Sequence, residues 1–167
     1  MSDETAEQAL DLTRSPVIWS HSSARHFNKI QRNVPDHLLE RLGTSEGKVD
    51  GVVHVNFYPG FLVGKGQKGD VSTVADHVEW VAKKAGHKHV GLGSDYDGIE
   101  STPAGLEDVS KYPALFAELI RRGWTDAQLE DLAGGNTLRI LEGVERVKEE
   151  MKGEPASMGR YTRRKDL

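Results

Sequence analysis

Along this chain, stretches with apolar residues at helical spacing alternate with short unbroken apolar runs. Ala6, Leu10 and Leu12 form the apolar side of a first helix, which Ser2 or Asp3 caps and which ends near Thr13. Pro16 then opens the run Val17-Ile18-Trp19, which gives way to Ser20-His21-Ser22-Ser23 and reads as a buried strand entering a polar loop. Pro35 starts a second helix with Leu38, Leu39 and Leu42 on one side and Gly43 as its stop. A second strand covers Val52 to Asn56. Beyond a Gly-rich loop, Ser72 caps a helix carrying Val74, Ala75, Val78, Val81 and Ala82, and Gly86 ends it. The third strand is His89 to Gly93. The remainder reads as helix over 113–122, 126–133 and 136–149, with Thr125 and Gln128 as a capping box.

Strands beginning near 17, 52 and 89 with helices between them are a βα repetition, which implies parallel strands and an α/β fold. The polar residues His21, Asn56 and Asp95 fall at the carboxyl ends of those strands, where parallel α/β folds build their sites. Three strands leave two open sheet edges, and the chain opens on a helix with no strand before it. A closed eight-stranded barrel takes about 250 residues. The pattern therefore predicts a partial (β/α)8 TIM-type barrel over 1–150, with a helical carboxyl-terminal region and a polar, basic, disordered tail over 151–167.

Composition narrows the function classes. With 22 basic against 26 acidic residues, the net charge is −4, which argues against a nucleic-acid partner. There is no Cys, so disulfides, thiolate metal sites and thiol nucleophiles are excluded. No apolar run approaches the ~18 residues of a membrane span, and the first ten residues lack the apolar core of a secretory leader. The helical zinc-protease motif, the serine elbow and the phosphate-binding loop are all missing.

Of seven His, His21 is the best candidate metal ligand, lying just past a strand among small hydroxyl residues. His26 and His37 read as solvated and His54 and His77 as structural, while His87 and His89 flank the wrong end of a strand. Asp95 and Asp97 could ligate a metal, carry a proton, or simply shape a turn ahead of Gly98. Arg32 is suited to gripping a carboxylate, although by itself it also fits an ordinary surface arginine.

In combination these residues carry a resemblance. Val17-Ile18-Trp19-Ser20-His21-Ser22-Ser23-Ala24, Arg32-Asn33-Val34-Pro35-Asp36 and Val55-Asn56-Phe57-Tyr58 resemble the membrane (renal) dipeptidase family. So do Val74-Ala75-Asp76-His77, Gly93-Ser94-Asp95-Tyr96-Asp97-Gly98 and Gly105-Leu106-Glu107-Asp108-Val109-Ser110-Lys111-Tyr112-Pro113. The resemblance implies a barrel-fold metallopeptidase with two zinc ions, hydrolysing dipeptides by a zinc-bridged hydroxide. It implies that His21 is a zinc ligand, that Arg32 grips the substrate's terminal carboxylate, and that Asp95 contacts substrate and carries a proton to the leaving amine. Asp97 and Gly98 are assigned only to the shape of the loop.

The family's other metal ligands lie upstream of the segments matched here. Three expectations follow, in order. The chain is the carboxyl half of a dipeptidase and inactive alone; or it is a binding or interaction module that holds dipeptides through Arg32 and Asp95 without cleaving them; or it is completed by self-association or by a separate amino-terminal half. Family members are often membrane-anchored and extracellular, but the basic tail is no hydrophobic anchor signal, and the sequence does not specify a compartment.

Overall fold

The computed structural model of this protein describes residues 2–155 and 158–159. It contains a parallel sheet of three strands in the order β1 (Val17–Trp19), β2 (Gly51–Val55) and β3 (Val90–Leu92). Register pairs Ile18 with Val52 and His54 with Gly91. The helices are α1 (Asp3–Leu12), α2 (Asp36–Leu39), α3 (Pro59–Leu62), α4 (Val71–Ala85), α5 (Tyr112–Arg121), α6 (Asp126–Glu130) and α7 (Asn136–Glu150).

Because strand side chains alternate, the sheet has two distinct faces. Val53, Val55 and Val90 join one core with Leu38 and Leu39 of α2, Val74, Val78 and Val81 of α4, and Leu115 and Leu119 of α5. That face carries the usual helical cover of a βα fold. Helix α7 instead docks along the strand starts. The Asn136 amide donates to the carbonyls of His87 and Val90, at 2.7 and 2.8 Å, and Arg139 pairs with Asp50.

Several expectations change. Ile18 is 40% exposed rather than buried, because β1 is an edge strand and Ile18 points away from the helical core. Helix α2 is a single turn: the Arg41 carbonyl accepts from Val49 N–H and Gly43 N–H donates to the Val49 carbonyl, so the chain leaves the helix before Leu42. Helix α3 occupies part of the predicted Gly-rich loop, with Pro59 in its first turn. The cap of α4 is Asp70, not Ser72, and it forms a reciprocal capping box with Thr73. His89 ends a short 3₁₀ turn ahead of β3, and a π-helical turn over Asp131–Gly135 joins α6 to α7.

Of the expected disordered tail, Met151–Gly153 form a turn and Glu154 pairs with Arg14 at 2.8 Å. Residues 156–157 and 160–167 lie outside those described. Among the described residues, no helix is long and apolar enough to cross a membrane.

Candidate functional site

The strands stay hydrogen-bonded just past their ends: Ser22 N–H donates to the His54 carbonyl and Phe57 N–H to the Ser94 carbonyl. The residues leaving β1, β2 and β3 therefore emerge side by side. The long loop after β1 is pinched where Val34 N–H donates to the Ser23 carbonyl and Arg25 N–H to the Val34 carbonyl. That closure returns Arg32 to the neighbourhood of His21. Its Nη2 lies 2.9 Å from His21 Nδ1 and 3.9 Å from Asp95 Oδ2. The guanidinium also sits over the Phe61 ring, 4.7 Å from its centroid.

Asn56, fully buried, is the hinge between the loops. Its Nδ2 donates to Asp95 Oδ2 at 3.0 Å, its Oδ1 accepts from Tyr58 N–H at 2.6 Å, and its carbonyl accepts from Ser23 Oγ at 3.3 Å. Asp95 has φ 66°, the sole positive φ outside glycine among the described residues. Backbone held there for a non-glycine residue costs of order 1 kcal/mol, so the surrounding contacts must enforce it. Gly98 N–H donates to the Asp95 carbonyl, and a Cβ at Gly98 would meet Asp95 Oδ1 at 2.5 Å. Gly98 thus leaves room for the aspartate side chain in its present position.

Beside this cluster lies an open cleft of about 450 Å³, lined by Asp3, Ile18, Ser20, His21, Arg25 and Arg32 among others. Its far wall is braced by Arg25, which grips both oxygens of Asp3 at 2.6 and 2.7 Å. That hydrogen bonding holds the Asp3 carboxyl below the ordinary aspartate range.

The other histidines stay outside the cluster. Burial lowers the pKa of His54, whose Nε2 meets Thr137 Oγ1 at 2.9 Å on the sheet face away from α4. His77 is fully buried in α4, and desolvation pushes it down to about 4. His89 Nδ1 donates to the Gly51 carbonyl at 2.7 Å. His26 stacks on Trp80 with ring centroids 3.5 Å apart.

The described residues do not by themselves form a metal centre. An arginine only donates, so His21 Nδ1 accepts from Arg32 and a neutral imidazole keeps its proton on Nε2. Neither ring nitrogen then offers a free lone pair. Among the described residues, no group of three or more His, Asp or Glu could hold a metal ion. The arrangement instead pairs a cation and an anion on separate loops, as suits a ligand with two charged ends.

His21, Arg32 and Asp95, each singled out in the sequence, thus come together. Sequence reasoning left Asn56 as a strand-end residue and missed Phe61. For Asn56 the available signal was an amide directly after a largely apolar strand.

The chain is similar to known proteins. The family model for membrane dipeptidases (peptidase family M19) matches residues 1–155. An uncharacterized dipeptidase of Schizosaccharomyces pombe is 48% identical over 149 residues, which make up 88% of this chain and 35% of that protein. Dipeptidase aclJ of Aspergillus oryzae is 44% identical over 144 residues, covering 86% of this chain and 33% of its own length. A metallopeptidase from Rhodobacter sphaeroides, crystallised with a phosphinate mimic of the dipeptide L-Ala-D-Ala, superimposes with a TM-score of 0.75 at 27% identity. That match covers 85% of this chain and 40% of the other. The chain spans about a third of the length of the curated relatives it matches.

Proposed function

Since the chain belongs to the membrane dipeptidase family, we propose that it supplies the substrate-gripping part of a zinc-dependent dipeptidase site. Arg32 holds the substrate's terminal carboxylate with two parallel hydrogen bonds. Asp95 faces the scissile amide and carries a proton to the leaving amine nitrogen. His21 contributes one ligand to the metal site once Arg32 turns from its Nδ1 to the substrate carboxylate. The observation that carries this reading is the approach of Arg32 to both His21 and Asp95, at 2.9 and 3.9 Å, beside an open cleft. These groups satisfy one another. The Arg32–Asp95 contact is long, and the arginine side chain is 40% exposed. Such a pair stabilises little and is easily exchanged for substrate.

A second reading has its own support: among the described residues no group of three or more His, Asp or Glu could hold a metal ion, and on this reading the chain by itself binds dipeptides and does not cleave them. Calorimetry with alanyl-alanine tests the binding. Saturable heat is expected, and Arg32→Ala should weaken affinity by about tenfold or more, the weight of a charge-assisted pair. No heat with the parent chain would sink the reading. A cleavage assay with added zinc separates the two readings, since robust turnover by the chain alone would overturn binding without hydrolysis.

A further inference from the structure

We propose that His77 is a positioning residue for the dipeptide site, fixing the loop that carries His21 and Arg32 against the helix that carries Phe61. The proposal rests on the dipeptide-site reading above. The His77 side chain is fully buried within α4, among Val74, Val78 and Val81 of the same core. Its two nitrogens serve two other segments. Nδ1 accepts from Ala24 N–H at 3.0 Å, and Nε2 donates to the Leu62 carbonyl at 2.9 Å. A backbone N–H only donates and a carbonyl only accepts, so the imidazole is fixed as the neutral Nε2–H tautomer.

Both partners sit close to the site. Ala24 follows His21 by three residues and forms the pinch with Val34 that returns Arg32 to the cluster. Leu62 follows Phe61, whose ring lies under the Arg32 guanidinium. The same two segments are also joined directly. The Asn28 amide donates to the carbonyls of Gly60 and Val63, and the Asn33 amide donates to that of Phe61. Those bonds tie the loop to α3. Of the three side chains, His77 is the one rooted in a long helix of the core, so it sets where the tied pair stands relative to the sheet. An apolar residue would fill the space but strand a buried N–H and a buried carbonyl. A histidine at this point therefore does what ordinary core packing does not.

Three variants of the full chain separate the two bonds. His77→Asn keeps an acceptor near the Nδ1 position, His77→Gln keeps a donor near the Nε2 position, and His77→Phe keeps the ring and loses both. Amide hydrogen exchange reads the result. Protection at Ala24 should fall about tenfold in the Gln and Phe variants and be retained in the Asn variant. The side-chain N–H signals of Arg32 should shift in the Gln and Phe variants. Where alanyl-alanine binding is measurable, His77→Phe should weaken it in the parent but have no further effect in an Arg32→Ala background, which general destabilisation would not produce. Unchanged Ala24 exchange and Arg32 signals in the Gln variant would overturn the proposal, even if the Phe variant fails to fold. The exchange and Arg32 readouts need no ligand, so failure of the dipeptide-site reading and failure of this proposal are distinguishable.

Discussion

At the scale of single residues, the site depends on groups that hold one another in unusual positions. Asp95 keeps a left-handed backbone because Asn56, Arg32 and the space left by Gly98 all act on it. Asn56 is the sensitive member, since its side chain donates to a carboxylate and accepts from a backbone N–H. Changing Asn56→Asp keeps the acceptor for Tyr58 but sets a second carboxylate beside Asp95. One of the two must then titrate above the ordinary range. Urea unfolding should show a loss of about 1–3 kcal/mol at neutral pH, shrinking as pH falls and the pair takes up a proton. An equal loss at all pH values would contradict the like-charge argument. His21, Arg32 and Asp95 were legible in the sequence because strand ends and motif residues mark them. The Arg32–His21 contact was not, because it arises from a loop closure that no spacing rule encodes.

Among the secondary elements, α4 sets the frame. Its start is fixed by the reciprocal bonds of Asp70 and Thr73, its core side by Val74, Val78 and Val81, and its outer side by Arg122 reaching Asp76 and Glu79 at 2.7 Å. Asp70→Ala should destabilise the protein by about 1 kcal/mol, measured by thermal or urea unfolding. The Thr73 hydrogen bonds hold the Asp70 carboxyl below its ordinary value of 3.8. Its contribution is therefore fully present above that value and is lost as pH falls through the lowered folded-state value. The gap between parent and variant should close in acid; a gap that widened there would reject the capping account. The helical periodicity of α4 was plain in the sequence, but its true cap was not, since Asp70 and Ser72 are both good capping residues. The fate of Leu42 was also hidden: helical spacing continues through it, while backbone pairing with Val49 ends the helix earlier.

For the whole molecule, α7 closes the end of the sheet opposite the site. Asn136 holds the carbonyls of His87 and Val90, and its removal should strand the buried Val90 acceptor and the half-buried one of His87. Asn136→Ala should cost about 2 kcal/mol and loosen α7 as a unit, read as faster exchange along 136–150 before global unfolding. A loss of stability without that local loosening would show that α7 docks by other contacts. By itself the sequence determined the three parallel strands, the helices between them, the family, and the carboxyl-end placement of His21, Asn56 and Asp95. Those features follow from apolar periodicity and local motifs, which act over a few residues. The tertiary structure alone decided that Ile18 is left half-open at a sheet edge, that Arg32 occupies His21 Nδ1, and that His77 ties a loop 53 residues away. Each of these depends on which segments meet in space, and hydrogen bonds between distant backbone and side-chain groups leave no periodic trace along the chain.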